Sequence, residues 1–355
     1  MEQIKNINIK NFRCFKDLSL NITEAIVLIK GSNGTGKTTI LEALNYAATL
    51  RSFRTAHLLE LINFDSLIFY IKLEFSSLGC IKTVFTNKKK IIKLDEKVLK
   101  SHSEISLIYQ AISITEDDLE LIKEGPELRR NFLDTILIAT ISNYNQLLKE
   151  HKKIVDQRAA LLQNSLIDKN YYNLWTTELC KKSNQIIEQR VLLLDRLVIK
   201  INYLLKNFIK QDFTVNLIYL PKYNLPKDSN LQDDALFEQE KRLGRNLIGA
   251  QLDDILIKFQ DQKTRSFASR GQQKLLVLIF KIVALEIILE SQKKPELILF
   301  LLDDFLTDLD PNIIKAVLNL IITFPIQVFI TLPNSTDIVE NYLEEINIKF
   351  QKILL

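Results

Sequence analysis

The chain has 355 residues, of which 47% are hydrophobic and 25% charged, as is typical of a globular protein with one large or two ordinary domains. Its net charge of +4 permits nucleic-acid binding, but so small an excess indicates such binding only where basic residues cluster. The three cysteines form no C-x-x-C pair and have no histidine at ligand spacing, which argues against a zinc site or a disulfide framework.

The N-terminal segment MEQIKNINIKNF lacks the apolar core of a signal peptide. The most apolar long stretch, Leu275–Leu289, is interrupted by Lys281 and Glu286, so nothing reaches the roughly 18–20 uninterrupted apolar residues of a membrane span. We therefore expect a soluble, cytoplasmic protein with no membrane partner.

The first third of the chain is predicted to be rich in β-strands. Apolar and polar residues alternate over 1–30, and a short apolar run, Ile26–Lys30, ends at a glycine cluster. A helix is expected over Thr38–Leu50. Further strands are expected over 67–86 and 91–99, with a turn near Asn87–Lys90.

The middle of the chain is predicted to be helical from Pro126 to about Phe208. Apolar residues recur every seven positions on both sides of a polar turn at 168–170, which indicates a helical hairpin with a short coiled-coil-like seam. Arg158 and Arg190 interrupt the seam, so an ordinary helical subdomain is an equal alternative. Residues 221–234, with two prolines and many polar residues, are typical of a linker.

The last third alternates helices and strands. We expect a helix from about Ser269 to Glu290, a buried strand over Leu297–Leu302, a helix over 311–322 and a strand over Gln327–Thr331. This alternation predicts an α/β fold.

The sequence GSNGTGKTT fits the P-loop pattern G-x-x-x-x-G-K-[ST] between a predicted strand and a predicted helix. Its backbone N–H groups and the helix N-terminus can bind phosphate, the lysine can neutralise the β- and γ-phosphates, and the threonine hydroxyl suits Mg²⁺. The residues expected to contact ATP here are Gly31, Ser32, Asn33, Gly34, Thr35, Gly36, Lys37, Thr38 and Thr39.

A second motif, LILFLLDD, supplies the acidic partner that a P-loop needs. Asp303 is predicted to hold Mg²⁺ together with Thr38, and Asp304 to orient or deprotonate the attacking water. Without the P-loop, two aspartates after a strand would be interpreted as a helix cap or a loop.

A third motif, ASRGQQK at 268–274, opens the long apolar helix with a serine and a glycine. Such a helix start is another anion-binding element, and one chain has no obvious use for two of them. A head-to-tail dimer would use both elements, since the helix start of each subunit would close on the γ-phosphate held by the P-loop of the other subunit.

The order of these motifs resembles the head of an ABC-type ATPase of the SMC-like branch, and within it the RecF family. The resemblance runs from residue 11 to 310 and is carried by the strings NFRCFKDLSL, GSNGTGKTTILEAL, SFRT, EDDLELIKEGPELRRNFLD, FASRGQQKLL and LLDDFLTDLD. It implies a P-loop ATPase head with a β-rich N-terminal part and an inserted helical arm. We expect the head to comprise 1–115 and 235–355, and the arm and linker to comprise 116–234.

The resemblance also assigns roles. Ser269, Gly271 and Gln272 match the signature loop that meets the partner's γ-phosphate, with Ser269 counted as catalytic beside Lys37 and Asp304. Thr307 and Asp310 match the D-loop, and Thr331 falls where transporter ATPases carry a histidine switch. Asn11 and Arg13 match an N-terminal segment near the nucleotide.

The chain departs from the family pattern in four places, one of which is Thr307 of the D-loop, where the family usually has serine. GAQLDD at 249–254 replaces the usual GPHRDD, so Gln251 and Leu252 stand for a histidine and an arginine. Thr115 replaces a proline before EDDL, and Gln110 is the nearest candidate for the Q-loop glutamine.

The family implies an ATP-driven dimer on duplex DNA near single-strand gaps, with slow DNA-stimulated hydrolysis. Its role would be recombinase loading and SOS induction during DNA repair and replication, with RecO- and RecR-type partners. Two alternatives stay open: an ABC transporter ATPase subunit, and a non-hydrolysing ATP-gated repair scaffold. Candidate phosphate contacts, each also interpretable as a solvated or ion-paired residue, are Arg51, Arg54, Arg129, Arg130, Lys152, Lys153, Lys181 and Lys182.

Overall fold

The computed structural model describes residues 2–86, 89–99, 104–105, 108–164, 166–210, 213–226, 231, 233–291, 296–307 and 309–355. The chain forms two compact units, one made of Met1–Asp118 and Lys294–Leu355, the other of Leu119–Lys293. Within the described part of the chain, no helix combines the length and apolar character that a membrane crossing requires.

Fourteen strands are described. They are β1 (Ile4–Phe12), β2 (Phe15–Asn21), β3 (Ile26–Lys30), β4 (Ile68–Phe75), β5 (Cys80–Thr86), β6 (Lys89–Leu94), β7 (Lys97–Val98), β8 (Tyr109–Ile114), β9 (Val215–Leu220), β10 (Asp254–Phe259), β11 (Gln262–Lys263), β12 (Leu297–Leu302), β13 (Gln327–Leu332) and β14 (Gln351–Leu354).

The described α-helices, in chain order, are α1 (Lys37–Thr49), α2 (Glu120–Lys123), α3 (Pro126–Thr140), α4 (Tyr144–Leu162), α5 (Lys169–Asn207), α6 (Asp234–Leu243), α7 (Thr264–Phe267), α8 (Arg270–Leu289), α9 (Pro311–Ile321) and α10 (Ile338–Glu345). Short 3₁₀ turns cover Leu58–Leu61 and Glu116–Leu119.

The first unit contains two sheets. One is antiparallel, in the order β2-β1-β4-β5-β6-β7, and its strands alternate buried and less buried residues. The other is parallel, in the order β14-β3-β13-β12-β8, and β3, β12 and β13 are buried along their whole length. Continuous burial explains why these three strands are apolar runs without alternation, since both faces of a parallel sheet are covered.

The predicted elements of this unit are confirmed, with small shifts at their ends. The predicted turn near Asn87–Lys90 is shorter on its C-terminal side, because Lys89 and Lys90 already pair with Thr86 and Phe85 in β6. Asn87 and Lys88 themselves lie outside the described residues.

The second unit contains the helical hairpin, formed by α4 and α5. Asp168 caps α5 by accepting the backbone N–H of Asn170 at 2.8 Å, which places the turn where the sequence predicts it. The seam positions Ile154, Leu179 and Ile186 are buried.

The two arginines that interrupt the seam are buried as well, and each is paired. Arg158 is fully enclosed and donates to Glu240 of α6 at 2.7 Å, while Arg190 donates to Asp134 of α3 at 2.8 Å. The hairpin therefore packs against further helices through buried ion pairs, as a helical subdomain does and a free coiled coil does not.

The division into compact units differs from the predicted domain boundaries in residues 235–293, which belong to the second unit. Strand β10 pairs along its length with β9, and α8 packs against α5 of the hairpin, so strand pairing and helix packing join this segment to the rest of the second unit. The predicted linker 221–234 lacks regular structure at its described residues up to Asp233, and Asp234 already begins α6. Residues 227–230 and 232 lie outside the described part.

Glu240 allows a test of the buried pair. Its carboxylate accepts from Arg158, from the Tyr172 hydroxyl at 2.6 Å and from the backbone N–H of Leu247 at 2.6 Å. Glu240→Gln leaves a buried guanidinium without its counter-charge, and we expect the free energy of unfolding to fall by about 3–5 kcal/mol. The chain's one tryptophan, Trp175, packs in this region and reports chemical denaturation by fluorescence. Glu238→Gln, exposed on the same helix, is the control, and equal midpoints for the two variants would contradict the expectation.

Candidate nucleotide-binding site

The P-loop lies between β3 and α1, as the sequence predicts. Gly34 and Gly36 have φ values of 86° and 102°, in the left-handed region that glycine adopts without strain. A Cβ on Gly36 would lie 2.5 Å from the Phe15 ring and 3.0 Å from Cys14 Sγ, so the loop also depends on the β1–β2 turn that packs against it. No side chain caps α1, which leaves its first N–H groups available to an anion.

Lys37 is the buried cation of the loop. Its ammonium donates to the carbonyl of Gly31 at 2.9 Å and to that of Ser32 at 3.2 Å. The nearest carboxylate oxygen, Asp304 Oδ2, is 3.9 Å away. The lysine is thus held over the loop interior by weak neutral partners, which a phosphate can replace.

The two predicted acids follow β12 and lie beside the P-loop. Asp303 Oδ1 accepts from the Thr38 hydroxyl at 2.9 Å and lies 3.0 Å from Thr331 Oγ1. Burial raises the pKa of the Asp303 carboxyl, while the bonds to the two hydroxyls oppose that shift. The structure therefore brings Lys37, Thr38, Asp303 and Asp304 together, as the sequence predicts.

Thr38 and Asp303 are also the residues that fit Mg²⁺. A hydroxyl and a carboxylate are hard oxygen ligands, and their separation of 2.9 Å lets both reach one ion. The described residues hold no group of three or more His, Cys, Asp or Glu side chains that could bind a metal by themselves. This fits an ion that keeps waters and takes further ligands from substrate phosphates.

An open cavity of about 1410 Å³ lies against the P-loop. Besides P-loop residues and Asp304, it is lined by the β1–β2 turn with Arg13, by Arg54, and by the segment 59–67. Phe64 and Leu67 in this segment are exposed. The β1–β2 turn and Arg54 lie in sequence strings that resemble the family, so the sequence points to them. It gives no signal for the segment 59–67.

Arg13 is held by a carboxylate that sequence reasoning missed. Glu42 of α1 is fully buried and accepts from Arg13 Nη2 at 2.8 Å and from Nε at 3.0 Å. It also accepts from the Ser52 hydroxyl, whose oxygen in turn accepts the backbone N–H of Arg54 at 2.9 Å. One buried carboxylate thus joins the P-loop helix to two basic residues of the cavity wall. The sequence feature that could have pointed to Glu42 is its place as the glutamate of the string GKTTILEAL.

The signature residues lie in the second unit, at the start of α8. Ser269 Oγ accepts the backbone N–H of Gln272 at 3.3 Å, and Gln272 Oε1 accepts that of Ser269 at 2.8 Å, which is a capping box. A Cβ on Gly271 would meet nothing within 4 Å. These residues begin the helix where the sequence predicts it, with Ser269 exposed and Gly271 and Gln272 half-buried, and their γ-phosphate role stays a prediction.

The D-loop residues lie in the first unit. Thr307 donates to the carbonyl of Asp304 at 2.9 Å, and Asp310 caps α9 by accepting the N–H of Asn312 at 2.8 Å. Asp310 therefore has a structural role in this chain, and its contact with nucleotide stays a prediction. Gln110 lies within β8.

Three of the proposed DNA contacts, Arg129, Arg130 and Lys182, have partners inside the second unit, where Lys182 donates to Glu150 at 2.6 Å. Arg129 forms a two-bond ion pair with Asp254, and Arg130 donates to the carbonyl of Asp253 at 2.6 Å. Arg129 and Lys182 are therefore ion-paired, as the structural alternative expects, whereas Arg130 is held by a backbone carbonyl, and DNA contact by any of the three stays a prediction. The GAQLDD segment contributes through its last two residues, Asp253 and Asp254.

Gly36 gives a test of the loop geometry. Gly36→Ala places a methyl group at positive φ and against Phe15, so the loop N–H groups must shift. We expect ATP affinity to fall about tenfold or more, a loss of ~1.4 kcal/mol, in a fluorescent-nucleotide titration. Gly125→Ala adds the same methyl group in open space and serves as the control. Unchanged affinity in a folded Gly36→Ala variant would contradict this account of the loop.

Comparison with known proteins shows the family to which the chain belongs. Residues 3–352 match the family model described as the RecF/RecN/SMC N terminal domain. The DNA replication and repair protein RecF of Clostridium novyi is 31% identical over 361 residues, covering 99% of this chain and 98% of that protein, and the RecF protein of Clostridium beijerinckii is 31% identical over 358 residues, covering 96% and 94%. A solved structure of the recombination mediator RecF with ATP, from the RecFOR pathway, superposes with a TM-score of 0.81 at 26% identity and 95% coverage of both chains. The chain therefore belongs to the RecF/RecN/SMC N-terminal domain family, as a member of its RecF group.

Proposed function

We propose that the chain is an ATP-dependent, DNA-binding recombination mediator in DNA repair and replication. The observation that carries this proposal is the set Lys37, Thr38, Asp303 and Asp304 beside one cavity, in a chain that matches RecF proteins over nearly its whole length. The likeness to a RecF structure with ATP supports this function over that of a transporter ATPase subunit.

In this proposal the P-loop binds the triphosphate through its N–H groups and Lys37. Thr38 and Asp303 would hold Mg²⁺, which when bound neutralises charge that develops on the transferred phosphoryl group. Asp304 orients the attacking water and accepts its proton. The side chains along the cavity wall, Arg13 and Arg54, add positive charge.

The second half of the site would come from a second copy of the chain. The start of α8 presents Ser269, Gly271 and Gln272 at a helix N-terminus, and the positive end of the helix dipole, rather than the Gln272 N–H that the capping box occupies, suits the γ-phosphate held by a partner. ATP would then join two chains head to tail around duplex DNA near single-strand gaps. Slow, DNA-stimulated hydrolysis would release them. Recombinase loading with RecO- and RecR-type proteins, and SOS induction, would follow in the cytoplasm.

The dimer is tested by sedimentation with ATP and duplex DNA. We expect wild-type protein to sediment as a dimer with ATP and as a monomer without it. Ser269→Arg should stay monomeric, because its side chain fills the position of the partner's γ-phosphate, while ATP affinity stays nearly unchanged. Gln262→Arg adds the same charge on the exposed strand β11 and should dimerise normally. A Ser269→Arg protein that dimerises like wild type would refute the trans site.

Turnover separates an ATPase from a non-hydrolysing scaffold. Asp304→Asn keeps the size of the side chain but removes the base, so the turnover number should fall roughly 10²–10⁴-fold. ATP affinity should be kept, since Lys37 and the loop are unchanged. If Asp304→Asn protein turns over ATP on DNA as fast as wild type, Asp304 is not the base.

A further inference from the structure

The backbone of Asp304 is in a conformation that needs support. Its φ is 49°, in the left-handed region that aspartate tolerates but does not prefer. Non-glycine residues persist there when their surroundings fix them, and such positions cluster at active sites. The conformation matters here because it directs the carboxylate toward the cavity, where Asp304 Oδ2 lies 3.9 Å from Lys37 Nζ.

The support on one side of Asp304 is a single buried hydroxyl. Thr331 is fully buried, and its Oγ1 accepts the backbone N–H of Asp304 at 2.8 Å. On the other side the Thr307 hydroxyl donates to the Asp304 carbonyl at 2.9 Å. Both backbone groups of Asp304 are thus held by threonine side chains rather than by the sheet.

The hydroxyl of Thr331 also faces both acids. It has one proton to give, and its oxygen lies 3.0 Å from Asp303 Oδ1 and 3.3 Å from Asp304 Oδ1. The carbonyl of Leu302 is a third acceptor, at 3.4 Å. Either carboxylate is closer than this carbonyl, and a charge-assisted bond is the stronger one. Thr331 therefore fixes the two acids relative to each other as well as the backbone of one of them.

Sheet register explains why this residue can reach both acids. Strand β13 lies between β3 and β12, with Thr331 paired to Ile29 and Ile330 paired to Leu302. Thr331 is one residue beyond the last β12 pair, level with the point where β12 ends and the acids begin. We infer that Thr331 is a positioning residue that holds the left-handed backbone of Asp304 and so sets the direction of its carboxylate. This inference rests on the proposed role of Asp304 in turnover.

The test compares Thr331→Val and Thr331→Ser. Valine keeps the shape but cannot accept the Asp304 N–H, so we expect the turnover number with DNA to fall roughly tenfold to hundredfold while KM for ATP stays unchanged. Serine keeps the hydroxyl and should restore most of the turnover. Thr83→Val is the matched control, since Thr83 is also fully buried but its hydroxyl has no hydrogen-bond partner among the described residues.

Two further measurements separate positioning from a general loss of structure. The double variant Thr331→Val/Asp304→Asn should turn over ATP no more slowly than Asp304→Asn alone, because both substitutions remove the same contribution, the positioned carboxylate of Asp304. The Asp304 amide should exchange its hydrogen faster in Thr331→Val than in wild type, while amides of β12 keep their protection.

The inference is overturned if Thr331→Val turns over ATP as fast as wild type. It is also overturned if Thr331→Val slows the Asp304→Asn protein by the same factor by which it slows wild type. If Asp304→Asn itself leaves turnover unchanged, the proposed catalytic role fails, and hydrogen exchange alone then decides. An Asp304 amide equally protected in wild type and Thr331→Val would overturn the inference in that case.

Discussion

The nucleotide site of the first unit depends on the parallel pairing of β13 with β3 on one side and with β12 on the other. Parallel strands bring their carboxyl ends to the same edge of a sheet, and ligands bind at that edge. The P-loop follows β3 there, the acids follow β12 there, and Thr331 lies between them as the penultimate residue of β13. A shift in this register would separate Thr38 from Asp303, which lie 265 positions apart in the chain and are joined by one hydrogen bond.

The charged side chains at this edge, Lys37 and Asp303, are held by neutral hydrogen-bond partners. The buried ammonium of Lys37 is held by loop carbonyls, and the buried Asp303 carboxyl is bonded to two hydroxyls. Neutral partners hold each group in place without cancelling its charge, so each can still respond to a triphosphate and a cation. Glu42 acts differently. It is ion-paired to Arg13 and fixes where that guanidinium lies in the cavity wall.

Two buried ion pairs hold the helical hairpin of the second unit against other helices of that unit. Arg158 with Glu240 and Arg190 with Asp134 each join the hairpin to another helix, and each carries further hydrogen bonds that satisfy the remaining polar atoms. Removing one partner of such a pair leaves a charge in the interior, which strongly destabilises a protein. The same positions that weaken a coiled-coil interpretation of the sequence are therefore the ones that attach the hairpin to the rest of its unit.

The sequence by itself determined the local elements and the chemistry of the motifs. Apolar runs and alternation predict the strands of both sheets, glycines at 34 and 36 predict the turn of the P-loop, and LLDD predicts acids at a strand end, because these signals act over a few residues. It also predicts the hairpin and its turn at Asp168. Only the tertiary structure decided which distant residues meet. Glu42 with Arg13, Arg158 with Glu240, and Thr331 with Asp304 are contacts between segments far apart in the chain, and no local pattern encodes them. The left-handed backbone of Asp304 belongs to the same class in part, since its carbonyl is held by the nearby Thr307 but its N–H is held by Thr331 of another strand.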